Sequence, residues 1–169
     1  MMKNIVIYKS GTGFTEQYAR WIAEARSCEA IALKSAQPQT ITQTEVVVFG
    51  GWVMAGKISG LDEMRKMSPA KLVVFAVGAM PASLLDTAKM AQDNGLAADE
   101  LFYFQGGMKW KELGFFTKLM LNAMKKKCAG EQAPTPAQKY MAEHLGTTFD
   151  ATDKANITPL VEHLKAIKK

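Results

Sequence analysis

Cysteine is scarce in this chain, which carries only Cys28 and Cys128, far apart and in no Cys-x-x-Cys pair. That spacing excludes a disulfide framework and a thiolate zinc site, and leaves two reduced thiols in a cytosolic protein as the expectation. Long apolar runs are missing as well. No stretch reaches the ~20 uninterrupted apolar residues that a spanning helix needs. The leading Met1-Met2-Lys3-Asn4 runs into a strand-like segment without a signal-peptide layout. A secreted or membrane-spanning protein is therefore not expected. Histidine is limited to His144 and His163, both late and on expected helices, where surface or internally bonded roles are the ordinary reading. Neither a Gly-x-Ser-x-Gly nucleophile elbow nor a kinase motif set is present, and Glu143, Asp150 and Asp153 are scattered acids.

What is present points to one folded unit. The 169 residues suit a single domain, with 48% hydrophobic and 22% charged residues. Lys plus Arg number 21 against 16 Asp plus Glu, a formal charge of +5 that favours anionic partners or surfaces without identifying them.

Two kinds of apolar segment alternate along the chain. Ile5-Val6-Ile7-Tyr8 is a short β-branched and aromatic run, followed at once by Lys9-Ser10-Gly11-Thr12-Gly13. A helical spacing then starts at Phe14 or Thr15 and puts Tyr18, Trp21, Ile22 and Ala25 on one face. Residues 29–33 make a weaker second strand. Val46-Val47-Val48-Phe49 ends in Gly50-Gly51, and the run from Leu72 to Val77 stops at Gly78; both have the character of strands buried on two faces. Helices are expected over 61–67 and 83–94, the second capped by Ser83 and stopped by Gly95. Leu101 to Phe104 is a fifth strand, closed by Gly106-Gly107. A basic amphipathic helix over 112–127, a turn at Ala133-Pro134-Thr135-Pro136, and helices near 138–145 and 158–167 follow. The chain is thus one domain over 1–169, with 112–145 as a helical insertion before the last helix.

Buried parallel-type strands alternating with helices indicate an α/β sheet covered on both faces. Right-handed crossovers make it doubly wound, and five parallel strands suit the order 2-1-3-4-5. Ligands in such folds sit at the carboxyl ends of the strands, beside the switch between the first and third. Three loops meet there: 9–14, 50–60 and 78–83.

The first loop, Ser10-Gly11-Thr12-Gly13-Phe14-Thr15, combines small residues, hydroxyls and an incoming helix N-terminus. Open N–H groups and the positive end of a helix dipole suit a phosphate, and the Ser10, Thr12 and Thr15 hydroxyls can complete its hydrogen bonds. A tight turn with an N-cap is the plainer alternative. A dinucleotide fingerprint needs a third glycine where this chain has Glu16, and a Walker loop needs a Gly-Lys-Ser/Thr that is absent.

Ser-Gly-Thr-Gly-Phe-Thr after a leading strand resembles the Ser/Thr-x-Thr-Gly-x-Thr phosphate loop of the flavodoxin family, and the order of elements agrees along essentially the whole chain. The resemblance implies a flavodoxin-like fold and a non-covalent FMN. Its phosphate would be held by Ser10, Gly11, Thr12, Gly13, Phe14 and Thr15, and its ring would lie between the second and third loops. In the second, Gly51-Trp52-Val53-Met54-Ala55-Gly56, Trp52 could cover a flavin face or be a core or rim tryptophan. The third, Gly78-Ala79-Met80-Pro81, offers small residues and backbone donors.

Beyond the fifth strand, Leu113, Phe116, Met120 and Met124 recur at helical spacing, with Phe115 and Leu119 widening the stripe and Lys118, Lys125, Lys126 and Lys127 adding charge. Core packing or self-association is the commoner use of such a stripe, and peripheral contact with the inner face of a membrane is the other. Within the flavodoxin superfamily, Gly106-Gly107-Met108-Lys109-Trp110 and Phe115-Phe116-x-x-Leu119-Met120 are similar to the quinone-dependent protoporphyrinogen oxidases. That similarity implies electron flow from a tetrapyrrole precursor to a quinone. The second loop lacks the Arg-Tyr-Gly character of that group. The positive charge also separates the chain from ordinary acidic flavodoxins. An FMN electron carrier acting with redox-protein partners is the alternative, and no nucleic-acid-binding pattern accompanies the basic helix.

Overall fold

The computed structural model describes residues 3–167; Met1 and Met2, with their share of the N-terminal expectation, and Lys168 and Lys169 lie outside them. In chain order the first half forms strand β1 (Asn4–Lys9), helix α1 (Phe14–Arg26), β2 (Glu29–Ala32), α2 (Pro38–Thr42), β3 (Val46–Met54), β4 (Lys57–Ile58) and α3 (Leu61–Lys66). The second half forms β5 (Leu72–Gly78), α4 (Thr87–Asp93), β6 (Leu101–Gln105), β7 (Gly107–Met108), α5 (Phe115–Ala129), α6 (Pro136–His144), β8 (Phe149–Asp150) and α7 (Thr158–Ala166).

The long strands are parallel in the order β2-β1-β3-β5-β6, which is the 2-1-3-4-5 layout once the short antiparallel β4 at the end of β3 is set aside. The strands are β-branched runs whose alternate side chains feed two cores. Val6, Val48 and Phe75 face α1 and α7, where Tyr18, Ile22, Leu160 and Leu164 meet them. Ile7, Val47, Phe49 and Val74 face the opposite layer, with Leu61 and Met64 of α3 and Met90 of α4. Each such side chain stabilises by roughly 1.5–3 kcal/mol on burial. The Tyr18 hydroxyl joins the layers: it donates to the Gln105 carbonyl at 2.6 Å and accepts from the Asp153 amide at 3.1 Å and Asn156 Nδ2 at 3.2 Å.

Several expected boundaries move. Gly50-Gly51 does not end a strand; β3 runs through it to Met54 and turns at Ala55-Gly56 into β4. The glycines are there for close approach, since a Cβ on Gly50 would lie 2.0 Å from Phe75 Cζ and one on Gly51 2.3 Å from the Ser59 carbonyl oxygen. The helix expected over 83–94 breaks into a 3₁₀ turn at Ala82–Leu84 and α4, whose cap is Asp86 rather than Ser83; its side chain accepts from the Lys89 amide. Gly95 follows the helix at φ +66° as a stop. On α1, Ala19 and Ala23 take the buried positions, while Ala25 in the last turn is exposed.

The insertion differs most. A 3₁₀ turn at Trp110–Glu112 precedes α5, which starts at Phe115 rather than 112. Apart from Leu113, its expected stripe does not enter a core of this chain: Phe115 is 74% and Phe116 82% exposed, Leu119, Met120 and Met124 are exposed too, and the buried α5 residues are Leu121 and Cys128. Leu121 joins Met108 and Leu145 in a small third core, to which Leu113, Met141 and Phe149 add. The β7–β8 pair, which had no sequence signal, closes the excursion beside the main sheet, and the Ala151 amide donates to the Gly106 carbonyl at 2.8 Å.

Candidate functional site

The three loops singled out above, together with the insertion, wall a single cavity of about 620 Å³ at the carboxyl end of the sheet. Of the expected site residues, 10–12, 14–15, 52–56 and 78–80 line it; Gly13 and Gly51 sit behind the wall. A second, more open concavity of about 610 Å³ adjoins it between residues 83–88 and the start of α6, with Leu84, Leu85 and Ala137 common to both.

The first loop is folded by its own side chain. Ser10 Oγ accepts from the Gly13 amide at 3.1 Å, and Gly13 adopts φ +103° as the residue before α1, a conformation that L side chains resist. No acceptor among the described residues meets the amides of Gly11, Thr12, Phe14 or Thr15. Thr15 is 1% exposed and lines the cavity, yet its hydroxyl has no hydrogen-bond partner among the described residues. Open amides at the start of a thirteen-residue helix plus a hydroxyl left free on the cavity wall fit an anionic oxygen cluster. The residues present therefore suit the phosphate of a mononucleotide.

The second loop is an antiparallel hairpin rather than a free loop. The Ser59 amide donates to the Trp52 carbonyl at 2.9 Å, so the main chain of this segment is partly committed before any ligand arrives. Asn94, at the end of α4, holds the turn: the Ile58 amide donates to Asn94 Oδ1 at 3.1 Å, and Asn94 Nδ2 donates to the Gly56 and Met90 carbonyls at 2.7 and 2.8 Å. Trp52 leans toward the first loop, with its Nε1 3.8 Å from where a Cβ on Gly11 would stand. It is half-buried on the cavity wall, with one edge against the first loop.

In the third loop the carbonyls are occupied. Tyr103 Oη donates to the Met80 carbonyl at 2.7 Å, and Ala79 accepts from Gln105 Nε2 at 3.1 Å and Tyr140 Oη at 3.3 Å. The segment can offer a ligand its amides but not these oxygens. Burial pushes the Tyr103 phenol well above its ordinary value and raises Tyr140 as well, so both stay protonated donors at neutral pH.

Of the further residues that line the wall, three carry polar groups that bear on a ligand. Tyr140 and His144 of α6 stack at 3.9 Å and 11°, and His144 Nδ1 donates to the Tyr140 carbonyl at 3.0 Å. A carbonyl only accepts, so this bond requires the proton on Nδ1. His144 is thus a cavity residue, not a free surface histidine. A histidine four residues after a tyrosine was the signal available in the sequence, since that spacing places both on one helix face. Lys109 is the third; its ammonium lies 3.5 Å from where a Cβ on Gly13 would stand. Among the described residues no group of three or more His, Cys, Asp or Glu is placed to hold a metal, and no helix is long and apolar enough to cross a membrane.

Sheet order, switch-point cavity and phosphate-type loop define a flavodoxin-like α/β protein. A family model described as the flavodoxin domain matches residues 5–135, and the chain belongs to that family. The match reaches the flavodoxin domain and stops short of the quinone-dependent oxidases. Among solved structures the chain is similar to a flavodoxin from the domain Archaea at 16% identity and TM-score 0.46, covering 66% of this chain and 88% of that one. It is also similar to the oxidised flavodoxin 1 of Bacillus cereus at 18% identity and TM-score 0.43, covering 65% and 88%. A WrbA-like flavodoxin from Agrobacterium tumefaciens shares 16% identity at TM-score 0.45, covering 85% and 99%. The comparison with curated proteins yields no match.

Proposed function

We propose that the protein binds FMN, with the phosphate in the 10–15 loop and the ring between the 52–56 hairpin and the 78–80 loop, and acts as an oxidoreductase toward an apolar acceptor of the quinone class. One observation carries the reading: the cavity is walled on one side by the three loops and on the other by Met120, Leu121, Met124 and Met141 of the insertion. An apolar second wall suits a flat apolar molecule more than a protein surface alone would.

FMN, when bound, supplies the electron transfer. The chain's own residues do the rest. The open amides of Gly11, Thr12, Phe14 and Thr15 and the Thr15 hydroxyl hold the phosphate; Trp52 covers the ring; the amides at 78–80, whose neighbouring carbonyls are tied to Tyr103, Gln105 and Tyr140, meet its polar edge. Tyr140 and His144 supply a stacked aromatic rim beside the apolar wall. A protoporphyrinogen-like donor is the narrower form of this proposal, resting on the resemblance of residues 106–120.

The purified protein is expected to turn yellow on titration with FMN, with the flavin bands shifted and its fluorescence changed. After anaerobic reduction, mixing with a short-chain quinone should re-oxidise the bound flavin at a rate that saturates with quinone. A protein that stays colourless overturns the whole reading. Loaded protein that ignores quinone but exchanges electrons with a redox protein is the carrier alternative.

The exposed face of α5 favours one further reading. Phe115 and Phe116, in edge-to-face contact at 5.6 Å, and Leu119 stand outward on the helix whose last turn carries the exposed Lys126 and Lys127, a pattern suited to peripheral contact with an anionic membrane surface. Self-association through the same face is the competing outcome of the vesicle assay given below.

A further inference from the structure

Lys109 approaches the first loop from a distant part of the sequence, beyond β6, and the route it takes is built in. After β6 the chain crosses Phe14 on two glycines: a Cβ on Gly106 would meet Phe14 Cβ at 3.1 Å, and one on Gly107 would meet Phe14 Cζ at 2.9 Å and the Phe149 carbonyl oxygen at 2.2 Å. Any larger residue would lift the segment off α1. The β7–β8 pairing, Gly107 with Asp150 and Met108 with Phe149, then fixes the direction in which the next residue leaves. That residue is Lys109. Its ammonium sits 5.5 Å from the centre of the Phe14 ring and beside Gly13, on the cavity wall.

The cation is poorly paired where it stands. Glu112 Oε1 lies 4.0 Å away, at the limit of an ion pair, with the two side chains 42% and 57% exposed, a combination that stabilises little. On the same cavity wall are the open amides of the loop and Thr15, a residue 1% exposed whose hydroxyl has no partner among the described residues. The amides and the ammonium donate, the hydroxyl can donate, and the residues that carry them line one cavity.

We propose that Lys109 is a binding and specificity residue for the phosphate of the flavin, so that the site selects FMN over the unphosphorylated riboflavin through a charge-assisted contact delivered by the insertion. The inference rests on the reading that the 10–15 loop holds a phosphate. A charge-assisted hydrogen bond is about twice as strong as a neutral one, and an ammonium beside a phosphate dianion discriminates against a ligand that lacks the charge.

The test uses the full chain freed of flavin and titrated separately with FMN and riboflavin, following flavin fluorescence, for wild type, Lys109→Gln, Lys109→Arg and the control Lys111→Gln. Lys109→Gln should raise the FMN dissociation constant about tenfold or more and leave that of riboflavin unchanged. Lys109→Arg should recover most of the FMN affinity, and Lys111→Gln should behave as wild type. Added salt should weaken FMN binding more in wild type than in Lys109→Gln. Equal FMN affinity in wild type and Lys109→Gln overturns the proposal while leaving the loop reading intact. An equal loss for FMN and riboflavin also overturns it, since that marks a packing role. Wild-type protein that binds both ligands equally, or neither, overturns the loop reading and this proposal with it.

Discussion

Replacing Gly50 by alanine isolates why two glycines stand inside β3. The new Cβ would lie 2.0 Å from Phe75 Cζ and 2.4 and 2.5 Å from its two Cε atoms, against an ordinary carbon–carbon contact of about 3.5–4.0 Å. The ring cannot step aside freely. Phe75 is fully buried in the α1–α7 layer, with the Phe104 ring 5.6 Å from it and Val48 and Val73 in the same core. Overpacking of this kind costs about 1–3 kcal/mol and occasionally more, and the depth of overlap puts Gly50→Ala at about 3 kcal/mol. Phe75→Leu alone leaves a void and should cost about 1–2 kcal/mol. In the double variant the shorter side chain makes room for the methyl group, so the two changes should couple favourably by about 2 kcal/mol. Urea titration of the four proteins, followed by circular dichroism, gives each value. Losses that simply add would mean that the ring clash is not the reason for the glycine, and the close-approach reading of Gly50-Gly51 would be abandoned.

Three further perturbations address the site and the surface. Thr12→Asp places a carboxylate where the loop amides expect an anion, and should weaken FMN at least tenfold while riboflavin changes less; unchanged FMN titration would remove the phosphate from this loop. Changing Lys125, Lys126 and Lys127 together to Glu should reduce co-sedimentation with anionic vesicles but not with neutral ones, and equal sedimentation of both proteins would remove the membrane contact. If instead the wild type alone forms dimers in analytical ultracentrifugation, the α5 face is a self-association surface. Tyr103→Phe tests a pH dependence: burial raises the folded-state phenol above its ordinary 10.0, so its contribution is complete below that pH and is lost as pH rises through the folded value. At pH 8 the variant should be less stable by about 1 kcal/mol through the lost bond to Met80; at pH 11 the gap should narrow, and a constant gap would refute the assignment.

Where burial on both faces demanded continuous β-branched runs, the pattern was easy to see, and Val46–Phe49 and Leu72–Val77 announced both the strands and their central places. The 10–15 loop was legible for a local reason: its hydroxyls and glycines lie next to one another in sequence. What was hidden depends on distant pairs. Nothing near Gly50 shows that Phe75 will stand against it, so a close-approach glycine looks like a turn. Asp86 outcompetes Ser83 as a cap because the chain at 82–84 first makes a tighter turn, and Asn94 reveals itself as the support of the β3–β4 turn only once the hairpin is folded. The α5 stripe has the same period whether it faces a core or the solvent, so spacing alone left its direction open. Lys109 reaches Gly13 only through the crossing at Gly106-Gly107, which no single-residue pattern contains.

The bond from the Ala151 amide to the Gly106 carbonyl, backed by the β7–β8 ladder, means that the excursion over the cavity leaves and returns at almost one point. Such an excursion is a removable cap: joining its two feet with a short turn would add little closure entropy and would leave the five parallel strands and α7 continuous. The cap can therefore be exchanged, lengthened or recoloured in chemistry without disturbing the platform beneath it. In this architecture the choice of what meets the cavity is separable from the fold that builds it.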